Sequence, residues 1–167
     1  MAEKLKILIY GYGNPGRQDD GLGIRFVEAL EKKPDLRSKF SLDFDSNYQL
    51  NIEDADRIKD KDLVIFADAS YENIDDYYYT EVEGSDKPAF TTHAANPAYI
   101  VQLCRQLYDK EPQALLLHMK GYRWELEETL TEPAEAHLQE ALKHTLDVLE
   151  RSGDLSEITE GLLTRSN

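Results

Sequence analysis

Cysteine is almost absent from this sequence: Cys104 stands alone in 167 residues, so no intrachain disulfide can form. A chain of this length must then hold itself together with a core, and the missing staples fit a reducing cytoplasm. Positive charge is scarce as well. Nineteen Lys and Arg face 33 Asp and Glu, a net charge of −14. So acidic a surface repels phosphate backbones and anionic headgroups, which argues against nucleic acid and membrane surfaces as partners; a basic protein partner would be favoured electrostatically, but solubility alone accounts for such acidity and is the weightier reading. Long apolar runs are missing, and nothing approaches the roughly 20 residues of a spanning helix. Met1-Ala2-Glu3-Lys4 enters a strand-like run with no signal-peptide core. There is no internal repeat and no low-complexity tract. Two protease signatures are also lacking: no G-x-S-x-G elbow and no H-E-x-x-H helix.

What is present describes a globular domain. Hydrophobic residues make up 41% and charged residues 31%, enough apolar surface to bury a sizeable core at this length. Lys4–Tyr10 predicts a strand and Asp20–Lys33 an amphipathic helix, with Leu22, Phe26, Val27 and Leu30 at helical spacing and Pro34 as its stop. Phe40–Phe44 alternates like a strand, and Leu50–Lys59 reads as a short polar helix. The runs Leu63–Ala67 and Ala114–Leu117 are continuously apolar, the pattern of strands covered on both faces. Tyr77–Val82 predicts a further strand, and Tyr122–Leu126 an edge strand. Asn96-Pro97 opens a helix to about Tyr108. Thr131, Pro133 and Gly153 bracket a last helix as N-cap, first-turn residue and terminator. Strands alternating with helices predict an α/β fold, a three-layer αβα sandwich around a mostly parallel sheet of about five strands. The expected organisation is a single domain over residues 1–153 and a flexible tail over residues 154–167. Sites in such sheets form beyond the carboxyl ends of the strands, which points to the loop after Tyr10 and to Asp68.

The loop Gly11-Tyr12-Gly13-Asn14-Pro15-Gly16-Arg17-Gln18-Asp19-Asp20-Gly21-Leu22-Gly23 is the most informative segment. Gly11, Gly13 and Gly16 have the spacing of a dinucleotide fingerprint, but Pro15 removes an N–H, and Asp19 and Asp20 at the helix start would repel a pyrophosphate. The G-x-G-N-P-G start resembles peptidyl-tRNA hydrolase, yet the histidine that family places a few residues later is replaced here by aspartates. As plain structure, one of Asp19 and Asp20 would cap the helix and the other complement its dipole.

The same stretch resembles the nickel–iron hydrogenase maturation protease family, whose first motif is a strand, G-x-G-N, a few variable residues and D-[DE]-x-x-G. Here these are Gly11, Gly13, Asn14, then Asp19, Asp20 and Gly23. The resemblance continues at Asp68, after the hydrophobic run, and at His93 in Phe90-Thr91-Thr92-His93. It extends to Gly121–Leu130 with Thr131, similar to the family's closing acidic stretch, and reaches about Leu149. It implies an endopeptidase that removes the C-terminal extension of a nickel-loaded hydrogenase large-subunit precursor. Asp20, Asp68 and His93 are then the catalytic residues and the metal ligands, while Gly11, Gly13, Asn14 and Gly23 shape the loop. The nickel is then supplied by the substrate, and the isolated protein could be metal-free. Two carboxylates and an imidazole suit nickel and would also accept zinc or manganese. Nickel could polarise the carbonyl or activate water, or it could only position the chain while Asp20, the first choice, or Asp68 acts as general base. A non-catalytic precursor- or nickel-binding maturation factor could use the same three side chains, and a peptidyl-tRNA hydrolase-like enzyme is a further alternative.

Other chemistry-bearing residues read as structural. Cys104 sits in an apolar helix, and His118 ends a buried strand. His137 and His144 are seven apart on one helix and are expected to face solvent. Tyr77-Tyr78-Tyr79 is expected to alternate between core and surface. Asp43 and Asp45 are expected to extend an acidic rim near the cleft.

Overall fold

The computed structural model describes residues 3–85 and 96–165. Five strands form one sheet in the order β2-β1-β3-β5-β4. They are β1 (Lys6–Tyr12), β2 (Ser41–Asn47), β3 (Leu63–Ser70), β4 (Tyr77–Glu81) and β5 (Gln113–Lys120). Four run parallel, and β4 pairs antiparallel with β5 at one edge. The helices are α1 (Leu22–Glu31), α2 (Asp54–Ile58), α3 (Pro97–Tyr108), α4 (Glu132–Arg151) and α5 (Leu155–Leu163). This is the expected α/β sandwich.

The period-2 geometry of the strands sorts their side chains into two cores. Ile7, Ile9, Ile65, Ala67, Leu115 and Leu117 point to one face, where α1, α4 and α5 cover them. Leu8, Tyr10, Val64, Phe66 and Ala114 point to the other, beneath α2 and α3. Both faces of β3 are thus dry, which is why Leu63–Ala67 is apolar without alternation. Cys104 is fully buried in the second core. Tyr77 and Tyr79 bury themselves in the first core while Tyr78 turns to the opposite face, the alternation expected of that run.

Thr131 caps α4 as expected, and Asn96 caps α3 where Asn96-Pro97 was expected to open a helix. The Asn96 side chain accepts from the Tyr99 N–H at 2.7 Å, and the Thr131 hydroxyl accepts from the Ala134 N–H at 3.4 Å.

Two expected elements differ in the structure. Residues 154–163 do not form a flexible tail. Asp154 caps α5 by accepting from Glu157 N–H, and Ile158 and Leu162 of α5 are both 0% exposed. The helix is short and its apolar residues are few, so its pattern reads weakly in isolation, but those two side chains complete the core over β4 and α4. Tyr122–Leu126 is no strand either. The N–H groups of Tyr122 and Arg123 donate to the Asp19 carboxylate at 2.7 and 3.1 Å instead of to a ladder.

The histidines of α4 also depart from expectation. His137 is half-buried against the Tyr122 hydroxyl at 2.7 Å. His144 bridges the Tyr77 hydroxyl and the Gly161 carbonyl at 3.1 and 2.8 Å, pinning α5 to β4 and α4. Asp43 and Asp45 are not free acids. Asp43 pairs with Lys61 and Arg57, and Asp45 with Arg57.

Candidate active site

The carboxyl ends of β1 and β3 are adjacent, with Gly11 paired to Ala67. This crossing is where the chain places its conspicuous acids. After β1 the backbone makes a tight loop, passes through a 3₁₀ turn (Gln18–Gly21) and enters α1. The glycines of the loop permit that path. Gly13 has φ +136°, and a Cβ there would run into the Asp20 carbonyl. A Cβ on Gly11 would meet the Gly23 carbonyl, and one on Gly23 the Ala67 carbonyl. The first turn of α1 therefore lies directly on the ends of β1 and β3. Asn14 closes the loop on itself: its side-chain oxygen accepts from Gly16 N–H at 2.9 Å, and its carbonyl from Arg17 N–H at 3.0 Å.

Asp19 and Asp20 separate sharply. Asp19 is 0% exposed. Its carboxylate accepts from the N–H groups of Tyr122, Arg123 and Thr131 and from the Thr131 hydroxyl, at 2.7 to 3.1 Å. Neither acid caps α1, whose N-cap Gly21 has no side-chain bond. Asp19 instead ties the loop to the segment before α4. Gln18 strengthens the seam: its N–H donates to the Glu127 carbonyl at 2.7 Å, and its side chain accepts from Glu125 N–H at 3.1 Å.

Asp20 faces the other way. One oxygen accepts from the Asn14 N–H at 2.7 Å, and the other meets the Tyr71 hydroxyl at 3.4 Å. Its charge bears on Asp68, which leaves β3 half-buried on the same face as Tyr12. Burial, and then the repulsion of Asp20, push the Asp68 carboxyl up to about 7. The Ala69 N–H and the Tyr12 hydroxyl partly offset this. In turn, burial and the Asp68 charge hold the Tyr12 phenol well above its ordinary range. Burial, then Asp20 and Asp68, also raise Tyr71. Two carboxylates that resist joint ionisation at neutral pH form a site that takes up either a proton or a cation.

Tyr71 is 70% exposed, yet its ring is fixed by stacking on Trp124 at 3.8 Å between centroids. Tyr12, Tyr71 and Trp124 were not among the expected site residues. Tyr12 stands inside the glycine motif and Tyr71 three residues after Asp68, so both had a positional signal. Trp124 had none, because only the tertiary stack brings it in. His118, paired in register with Asp68, stacks on Tyr78 at 4.4 Å, and its Nε2 lies 2.9 Å from the Thr80 hydroxyl. Burial lowers its basicity, in keeping with a structural histidine. His93 lies outside the described residues. Among those described, no cluster of three His, Cys, Asp or Glu is placed to hold a metal ion. The acid pair supplies two carboxylates. A groove of about 830 Å³ lies between α1 and α4, lined by Ala29, Lys32, Leu142 and Leu146, and includes neither acid.

No protein-family model and no curated protein matches the chain. Solved structures do. The hydrogenase maturating endopeptidase HybD from E. coli is 25% identical, over 89% of this chain and 94% of that one, with a TM-score of 0.69. The NiFe hydrogenase maturation protease HycI from Thermococcus kodakarensis is 19% identical over the same shares, with a TM-score of 0.67. A hydrogenase 2 maturation peptidase from a Thaumarchaeota archaeon is 19% identical over 88% and 99%, with a TM-score of 0.61; these last two likenesses concern the fold. With the G-x-G-N and Asp-Asp motifs after β1 and Asp68 at the end of β3, the chain is similar in fold and motif order to the hydrogenase maturation endopeptidases, and its enzyme class is peptidase.

Proposed function

We propose that this peptidase removes the C-terminal extension of a nickel–iron hydrogenase large-subunit precursor, and that it acts only on a precursor already loaded with nickel. The observation that carries the reading is the Asp20–Asp68 pair: two carboxylates at the open ends of β1 and β3, one of them raised to about 7 by burial and by the other. Such a pair is short of one positive charge. A substrate that brings its own nickel supplies that charge, and a substrate without nickel does not. His93 is the proposed third donor.

Asp68 carries the proton nearest to neutrality, which suits a group that takes or gives a proton at the scissile bond. Asp20, held by Asn14 and Tyr71, is the fixed carboxylate that orients the cation or the attacking water. The proposed compartment is the cytoplasm, and the single buried cysteine suits it. No helix among the described residues is long and apolar enough to cross a membrane. The test is the intact mass of nickel-loaded and nickel-free precursor before and after incubation with the protein. Shortening of the loaded form alone supports the reading. Shortening of both removes the metal checkpoint, and shortening of neither leaves a binding factor.

A further inference from the structure

Most of the large apolar side chains that stand exposed among the described residues lie at the end of the sheet that carries the acid pair. Tyr48, Ile52, Tyr71, Tyr122 and Leu126 are five of the eight such residues described, and all lie on connections that follow carboxyl ends of strands. Leu126 is the most open, at 76%. An exposed apolar residue is ordinary taken singly; a group of them beside a catalytic cleft marks an interaction surface.

This surface is rigid. Tyr71 is stacked on Trp124, and Trp124 and Leu126 lie on a segment fastened to the 3₁₀ turn by five bonds: the N–H groups of Tyr122 and Arg123 donate to the Asp19 carboxylate and that of Glu125 to the Gln18 side chain, while the N–H groups of Gln18 and Asp19 donate to the Glu127 and Arg123 carbonyls. The fastening leaves Leu126 pointing to solvent within reach of the Asp20 loop, with no ordering cost left for a ligand to meet on this side. The charge around it is mostly negative, with Arg17 near Tyr71 and Arg25 on the Glu128 carbonyl as the nearby cations of other segments. Glu125, Glu127 and Glu128 flank Leu126, with Arg123 the one cation between Gly121 and Leu130, and Glu72 follows Tyr71.

We infer that Tyr71, stacked on Trp124, and Leu126 with its flanking Glu125 and Glu127 form the docking surface for a peptide segment of the precursor. That segment carries an apolar side chain for the platform and cationic side chains for the glutamates. The inference rests on the proposed protease reading and adds to it where the substrate chain lies and which chemistry it presents. An apolar anchor ringed by same-sign charge gives affinity at the centre and steering at the rim.

The experiment uses the full-length protein and the nickel-loaded large-subunit precursor of the same organism. Steady-state processing is measured for wild type, Leu126→Ser, the double variant E125Q/E127Q, and Leu107→Ser as an exposed apolar control on α3. The expected result is a KM raised about tenfold in Leu126→Ser with kcat within about twofold. In E125Q/E127Q the expected KM is also raised, and less sensitive to salt. Leu107→Ser should match wild type. A KM within about twofold of wild type in both site variants overturns the inference. Equilibrium binding of the uncut precursor is measured alongside, so that the two ideas fail separately. If wild type does not cut, the protease reading falls, and weaker binding by Leu126→Ser still upholds the docking surface. Equal binding by both, or no binding by wild type, overturns it.

Discussion

Asp19 and Asp20 are neighbours in the chain and serve opposite sides of one turn: Asp19 turns inward to four donors of the segment that leads into α4, and Asp20 turns outward to the Asn14 N–H and towards Asp68. Adjacent identical residues in a 3₁₀ turn project well apart, so one can be wholly structural while the other stays available for chemistry.

Replacing Asp19 by Ala is therefore expected to damage the fold. Three N–H groups and a hydroxyl lose their acceptor in a buried setting, an expected loss of about 3–5 kcal/mol in unfolding free energy. Urea denaturation of Asp19→Ala against wild type checks this. A loss under about 1 kcal/mol would contradict the assignment.

Asp20→Asn keeps an acceptor for Asn14 and removes the charge. Its stability is expected to stay within about 1 kcal/mol of wild type while precursor processing falls by at least about a hundredfold. Denaturation and processing assays on the one variant separate the two effects.

Asp68 sets a pH dependence whose sign follows from linkage. Its folded pKa of about 7 lies above that of an unfolded aspartate, so the folded state holds the extra proton between pH about 4 and 7. The stability associated with that proton is present at low pH and is lost as pH rises to about 7. Asp68→Asn keeps an acceptor for the Tyr12 hydroxyl and abolishes the ionisation. It is expected to be more stable than wild type at pH 8, by on the order of 1–3 kcal/mol, and about equal to it at pH 4. Thermal melts at the two pH values test this; an advantage no larger at pH 8 would count against the raised carboxyl.

A divalent cation must displace that same proton. Binding of nickel(II) alone to the isolated protein is expected to weaken as pH falls below about 7, by up to about tenfold per pH unit, and to be nearly lost in Asp20→Asn. Titration calorimetry at pH 6 and 8 reads both. Affinity independent of pH would remove the acid pair from the binding site.

What was legible in the sequence was whatever one local pattern determines. The unbroken apolar runs of β3 and β5 encode strands buried on two faces, and Asn96-Pro97 and Thr131 encode helix starts. The G-x-G-N…Asp-Asp motif encodes a loop whose glycines are required by backbone contact. Three features stayed hidden because distant partners decide them. Tyr122–Leu126 has strand-like residues, but Asp19, more than a hundred positions away, takes its N–H groups. α5 owes its place to Ile158 and Leu162 entering the main core and to His144 gripping Gly161. Asp43 and Asp45 were expected in an acidic rim, and Lys61 and Arg57 pair with them instead. At the site, motif order could name Asp20 and Asp68. Only the fold could assign the structural task to Asp19 and bring Tyr71 and Trp124 alongside.

The packing of α5 has a direct consequence. Truncation after Gly153 strips two fully buried side chains from the core, and Ile158→Ala alone is expected to cost about 2–4 kcal/mol. A truncated protein that melts with wild type would restore the flexible tail.

The central claim is that Asp20 and Asp68 read nickel on a precursor and cut its C-terminal extension. The measurement that tests it most directly is the intact mass of nickel-loaded precursor after incubation with wild type, Asp20→Asn and Asp68→Asn, beside nickel-free precursor with wild type. The expected result is one C-terminal fragment lost from the loaded precursor with wild type alone. Fragment loss with either variant at the wild-type rate, or from the nickel-free precursor, would contradict it.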